Sequence, residues 1–168
     1  MLILSADPGI TGAICSYYTV EGRVQVHDMP VIEKKMATGV RRLLDEVEIL
    51  ILLGLYRDLG CKHFFLEQVN GLPGQSAPRA FNFGWGYGVL RMAVLANGMQ
   101  LHTVPPATWK GAMRAPKDKL SSIQRASELL PHSKNLWAKG TGDQAQRGGR
   151  AEAAMLALYA ERVLGGTA

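Results

Sequence analysis

Apolar positions along the chain gather in short blocks whose period changes near residue 39. Residues 2–7 (LILSAD) and 11–19 (TGAICSYYT) are compact apolar runs separated by Pro8–Gly9, a pattern that predicts two strands and a tight turn. "RVQVHDM" (23–29) alternates apolar and polar positions and predicts a third strand after the turn at Glu21–Gly22. No helix fits between these three, so they form a meander. Val40, Leu43, Leu44, Val47, Leu50, Ile51 and Leu55 then recur at helical spacing and predict one helix over 39–59, closed by Gly60.

"KHFFLEQ" (62–68) is short and almost wholly apolar, as in a strand covered on both faces. A helix over 78–97 and a strand over 99–104 follow. Pro105 and Pro106 open a short helix around 107–113, and 117–130 reads as another. The polar, glycine-rich, basic stretch "PHSKNLWAKGTGDQAQRGGR" (131–150) reads as a mobile loop before a last helix over 151–163. The resulting order is β-β-β-α-β-α-β-α with small helices inserted. It predicts an α/β fold: a mixed five-stranded sheet, three antiparallel strands then two parallel, flanked by helices.

Length and composition narrow the class without naming a chemistry. The 168 residues suit one domain over 1–168, and 47% apolar with 20% charged residues is an ordinary globular mix. The net charge of +5 is compatible with a polyanionic partner. Cys15 and Cys61 both lie in or beside apolar runs, which suits buried thiols of a reducing compartment. No signal-peptide pattern opens the chain, and its longest apolar stretch, 49–56, is too short to span a bilayer. A cytoplasmic protein with no membrane partner is the expectation.

Three acids stand out by position. Asp7 ends the first strand and Glu67 the fourth. If those strands are parallel neighbours, both carboxylates emerge at one carboxyl edge, where α/β sheets collect their sites. Glu152 heads an apolar helix face shared with Met155, Leu156, Tyr159 and Val163, an unusual place for a solvated acid. Singly, each has an ordinary structural account: a turn residue, a strand-end charge, a helix-dipole partner. Together they describe an oxygen-ligand site for Mg²⁺ or Mn²⁺.

The chain resembles the RuvC-type Holliday junction resolvases, and most of all their phage-encoded members. The resemblance rests on "LSADPGITGAI" (4–14), "FFLEQVNGLPGQSAPRAFNFGWGYGVLRM" (64–92), "LHTVPPATWKGAM" (101–113), "KDKLSSIQRASELLP" (117–131) and "GRAEAAMLALY" (149–159). It implies an RNase H-like fold, a homodimer, and two Mg²⁺ ions that nick paired strands of a four-way DNA junction into ligatable ends. It carries Asp7, Glu67 and Glu152 across as catalytic metal ligands. The family has a fourth ligand about one turn before the last acid, where this chain reads Arg147, Gly148 and Gly149. Asp143 is the nearest substitute, and an attenuated nuclease follows if it stays in solvent.

Two ions about 3.5–4 Å apart clamp both sides of an in-line phosphoryl displacement. Asp7 would bridge them, with Glu67 on one and Glu152 on the other. Candidate phosphate contacts are Lys110, Lys117, Lys119, Lys134, Lys139, Arg147 and Arg150, with Arg79 and Phe81 beside Glu67 offering further DNA contacts. The helices at 39–59 and 78–97 are the candidate dimer contact. Two other functions stay open: a branched-DNA-binding protein with weak or lost cleavage, and an RNase H-like nuclease for other branched substrates. A third class, the actin-like sugar kinases, ranks last because the chain is too short for their two lobes.

Overall fold

A computed structural model describes residues 1–37, 39–70, 74 and 76–166, with the side chain of Arg79 left outside the description. The chain opens with β1 (Leu2–Asp7), β2 (Ala13–Tyr18) and β3 (Arg23–Asp28), the expected meander. A hairpin of β4 (Val31–Met36) and β5 (Gly39–Leu44) follows, then α1 (Glu46–Asp58) and β6 (His63–Glu67). Next come α2 (Ala77–Ala96), β7 (Gln100–Val104), α3 (Pro106–Met113), α4 (Lys119–Leu129) and α5 (Gln144–Leu164). The main sheet has the order β3-β2-β1-β6-β7. β1 pairs antiparallel with β2 and parallel with β6, and β7 continues parallel beyond β6. The fold class read from the sequence is the one observed.

Alternation along the central strands divides the interior into two layers. Ile3, Cys15 and Phe65 point to the side covered by α5, where Trp109 of α3 and fully buried Trp137 complete the packing. Leu4, Ile14, Phe64 and Leu66 point the other way, onto Ile49 and Leu53 of α1 and Leu90 and Val94 of α2. The inner face of α5 is mostly alanine (Ala153, Ala154, Ala157, Ala160). Small side chains let the helix backbone approach the sheet closely, and the Ser5 hydroxyl donates to the Ala153 carbonyl at 2.7 Å.

Two expectations are corrected. The helix predicted over 39–59 begins only at Glu46, where Asp45 caps it by accepting from the Glu48 amide; residues 39–44 are a strand of the separate two-stranded sheet. The loop predicted over 131–150 is largely ordered. Pro131–Trp137 form a 3₁₀ helix, and α5 begins at Gln144 rather than near 151. A capping box fixes that start: the Asp143 carboxylate accepts from the Gln146 amide, and the Gln146 side chain accepts from the Asp143 amide.

Candidate active site

The parallel pairing of β1 and β6 sets Ala6 opposite Leu66, so Asp7 and Glu67 are the next residues along each strand at the carboxyl edge. Both share the face covered by α5. Asp7 lies two residues beyond Ser5, which bonds to α5, and Glu67 lies two beyond Phe65, which packs in the same layer. Glu152 meets them from α5 and is only 3% exposed. It sits well inside the helix, not at its start, because α5 is longer than its apolar face suggested.

Lysines meet these acids. Lys119, the first residue of α4, lays its Nζ 2.8 Å from Glu152 Oε2 and 3.3 Å from Asp7 Oδ2. Lys110 of α3 approaches the other Glu152 oxygen at 3.3 Å, and the Ser122 hydroxyl donates to that oxygen at 3.3 Å. Trp109 Nε1 donates to Glu67 Oε2 at 2.8 Å and fixes its orientation. Burial raises the Asp7 carboxyl above its ordinary range even though Lys119 pulls the other way. Burial, then the charge of Asp7, pushes Glu67 up to about 7. For Lys119 burial works against the charge, but Asp7 and Glu152 outweigh it and hold the ammonium above the usual lysine range.

The three predicted acids therefore reach one rim but do not close on one point. Among the described residues no three Asp, Glu, His or Cys side chains are grouped closely enough to hold a metal ion together. Asp7 and Glu67, side by side on adjacent strands, fit one hard divalent cation whose other positions go to water and phosphate oxygen. Between Asp7 and Glu152 lies Lys119 Nζ, in contact with an oxygen of each.

Asp143 does not join the group. It is exposed, and its carboxylate is engaged as the α5 cap. The turn before Glu152 is crowded at both glycines, by a side chain at Gly148 and by backbone at Gly149. A Cβ on Gly148 would fall 2.5 Å from Lys119 Cδ, and one on Gly149 would fall 2.4 Å from the Thr11 carbonyl oxygen.

The proposed DNA contacts divide. Lys110 and Lys119 belong to the acid cluster itself. Arg150, read as a DNA contact, is tied within the fold, its Nε 2.6 Å from Asp28 Oδ1 and its Nη1 3.1 Å from the Leu136 carbonyl oxygen. Arg147 likewise donates to the Trp137 carbonyl at 3.1 Å. Lys117, Lys134 and Lys139 are exposed, as is Phe81 on α2 (73%). The Arg79 side chain lies outside the described residues. Sequence reading missed Trp109, Ser122 and the inward course of Lys119. An indole at the fourth position of a helix gives no linear hint of a strand-end carboxylate 42 residues away.

No family model matches the chain, and no curated protein matches it. Solved structures do. Thermus thermophilus RuvC in complex with Holliday junction substrate aligns over 99% of this chain and 98% of its own, with TM-score 0.62 and 15% identity. Another Thermus thermophilus RuvC structure aligns over the same shares with TM-score 0.55 and 18% identity. Ydc2, the yeast mitochondrial Holliday junction resolvase, aligns over 94% of this chain and 76% of its own, with TM-score 0.59 and 17% identity. The fold thus belongs to the RNase H-like class: a mixed five-stranded sheet flanked by helices, with acids at its carboxyl edge. Within that class, it is the RuvC-type fold from end to end.

Proposed function

We propose that the protein is a structure-specific endonuclease that resolves four-way DNA junctions by divalent-cation-dependent hydrolysis of phosphodiester bonds, working as a homodimer. One observation carries the reading: in a chain with the RuvC-type fold, Asp7 and Glu67 end adjacent parallel strands and share the covered face with Glu152. Half-buried strand-end carboxylates on one face, one of them pushed up to about 7 by burial and by the other's charge, suit a site that receives a cation.

Asp7 and Glu67 would hold the ion, Mg²⁺ or Mn²⁺, which would polarise the scissile phosphate and supply an activated water. Trp109 keeps one Glu67 oxygen engaged, and the other, without a hydrogen bond among the described residues, would ligate. Lys110 and Lys119 set positive charge at the rim, where a phosphate loses its solvent counterions as it docks. Exposed Lys117 precedes α4, and exposed Lys134 and Lys139 border a hollow with Ile123 and Ser127 of α4 and Arg147 of α5, adding further positive charge. Each phosphate they neutralise adds a salt-sensitive increment to affinity. A crossover has two-fold symmetry, which a two-fold dimer with two sites matches.

The test is nicking of a synthetic four-way junction beside three-way, flap and linear duplexes in Mg²⁺ and in Mn²⁺. The expected result is paired nicks on the four-way junction, lost by at least about a hundredfold in Asp7→Asn. Equal cutting of flaps would redirect the reading to a general branched-DNA nuclease. A second reading, a junction-binding protein with lost cleavage, is favoured by Gly148 and Gly149 where a further acid is expected. Tight junction binding with no nicks in either metal would select it.

A further inference from the structure

Resting on the nuclease reading, we infer that Lys119 takes the place of a second divalent cation between Asp7 and Glu152, so that the site works with one ion and one fixed ammonium.

Two independent features carry this. The first is the position of the charge: Lys119 Nζ touches a carboxylate oxygen of each acid, at 2.8 Å and 3.3 Å. An ion bridging those two acids would have to occupy the same space. The second is the backbone beneath it. The Lys119 stem lies on bare Gly148, where an added Cβ would fall 2.5 Å from Cδ and 3.1 Å from both Cβ and Cγ. The helix turn that would carry a fourth acid is instead the floor on which the lysine rests. Gly149 is closed off as well, against the Thr11 carbonyl oxygen.

Charge balance points the same way. Two carboxylates, Asp7 and Glu152, pair with the two ammoniums of Lys110 and Lys119, so this side of the site is neutral without an ion. A divalent ion added between those two acids would gather positive charge beside two ammoniums. An ammonium has the sign that a developing phosphorane needs but cannot activate a water as a metal does. In that division of labour Asp7 and Glu67 would hold the ion that supplies water activation, and Lys119 would supply charge stabilisation.

The experiment counts Mn²⁺ ions bound per chain by equilibrium dialysis and by electron paramagnetic resonance, without DNA. Wild type is expected to bind one ion, lost in Glu67→Gln and retained in Glu152→Gln. Lys119→Gln removes the ammonium and is expected to raise the count to two, with the added ion lost again in the Lys119→Gln/Glu152→Gln pair. Lys119→Arg keeps the charge and is expected to stay at one. Two ions in the wild type, or no added ion in Lys119→Gln, overturns the inference. The wild-type count stands as a test even should Lys119→Gln fold poorly. Because the counts are read without substrate, they are separate from the cleavage assay: junctions left uncut would defeat the nuclease reading while leaving the ion counts to decide the role of Lys119.

Discussion

Gly149 meets Gly12 where the β1–β2 turn passes under α5. A Cβ on Gly149 would lie 2.4 Å from the Thr11 carbonyl oxygen and 2.8 Å from Gly12 Cα, so backbone rather than a side-chain tip would have to yield. Gly149→Ala is expected to cost about 1–3 kcal/mol, read as a lower urea midpoint with an unchanged slope. Glu152 rides on the same helix, so cleavage should fall with it; an unmoved midpoint would show that the turn has slack. His27 gives a second residue-scale expectation. Its Nε2 lies 2.7 Å from the Tyr56 hydroxyl, which accepts from Ser16 at 3.1 Å and so donates to a neutral imidazole. Burial lowers the His27 pKa below its ordinary 6.5. The unfolded chain therefore takes up a proton first as pH falls. Stability from this group is whole above about 6.5 and declines as the pH drops toward the folded pKa. Between pH 7.5 and 5, His27→Gln should lose less stability than wild type in paired urea titrations, and equal losses would remove His27 as the cause.

At the scale of elements, the meander, β6, α2 and β7 were legible because each has one dominant period and a clear stop. The β4–β5 hairpin was not. Both its faces are largely solvent-exposed, so its polar positions do not alternate, and Val40, Leu43, Leu44 and Val47 happen to fall on a helical stripe that runs on into α1. The first turns of α5 were hidden by Gly148 and Gly149, although Asp143 and Gln146 spell a capping box that places the start correctly. The strand-end acids could be read from topology alone. Lys119 could not, since its reach depends on how α4 packs against α5. The hairpin carries Lys34, Lys35, Arg41 and Arg42 against one acid, Glu33, and stands apart from the main sheet beside α2, which Arg41 touches at Asn82. An exposed basic ribbon is suited to a DNA arm. Lys34→Ala/Lys35→Ala is expected to weaken junction binding at low salt and to flatten the plot of log affinity against log salt by about 1–2 units. An unaltered slope would exclude these lysines from phosphate contact.

Over the whole molecule, the acids and the surplus apolar surface lie on opposite sides of the sheet. Helix α1 is apolar nearly all round: Ile49, Leu53 and Tyr56 face the core, while Val47, Ile51 and Leu55 form a second stripe, each more than half exposed. A lone surface helix keeps its outer face polar, so this pattern calls for a covering partner. Met92 and Leu95 of α2 add exposed apolar surface on the same layer, and Leu50, Trp85, Val89 and Met92 line a groove between the two helices. A second copy joined about a two-fold axis along α1 would cover both stripes at once and leave each acid rim free, one for each strand of a symmetric crossover. Leu55→Glu puts a charge in the middle of the exposed stripe without touching the core beneath. It is expected to halve the mass measured by light scattering while the urea midpoint at low concentration stays in place. Junction cutting by that variant should pass from paired nicks to single, uncoordinated ones, because each chain keeps its own acids and loses only its neighbour. Should the variant keep the wild-type mass, the α1 stripe is not what joins the two copies, and the pairing of nicks would have to come from another face.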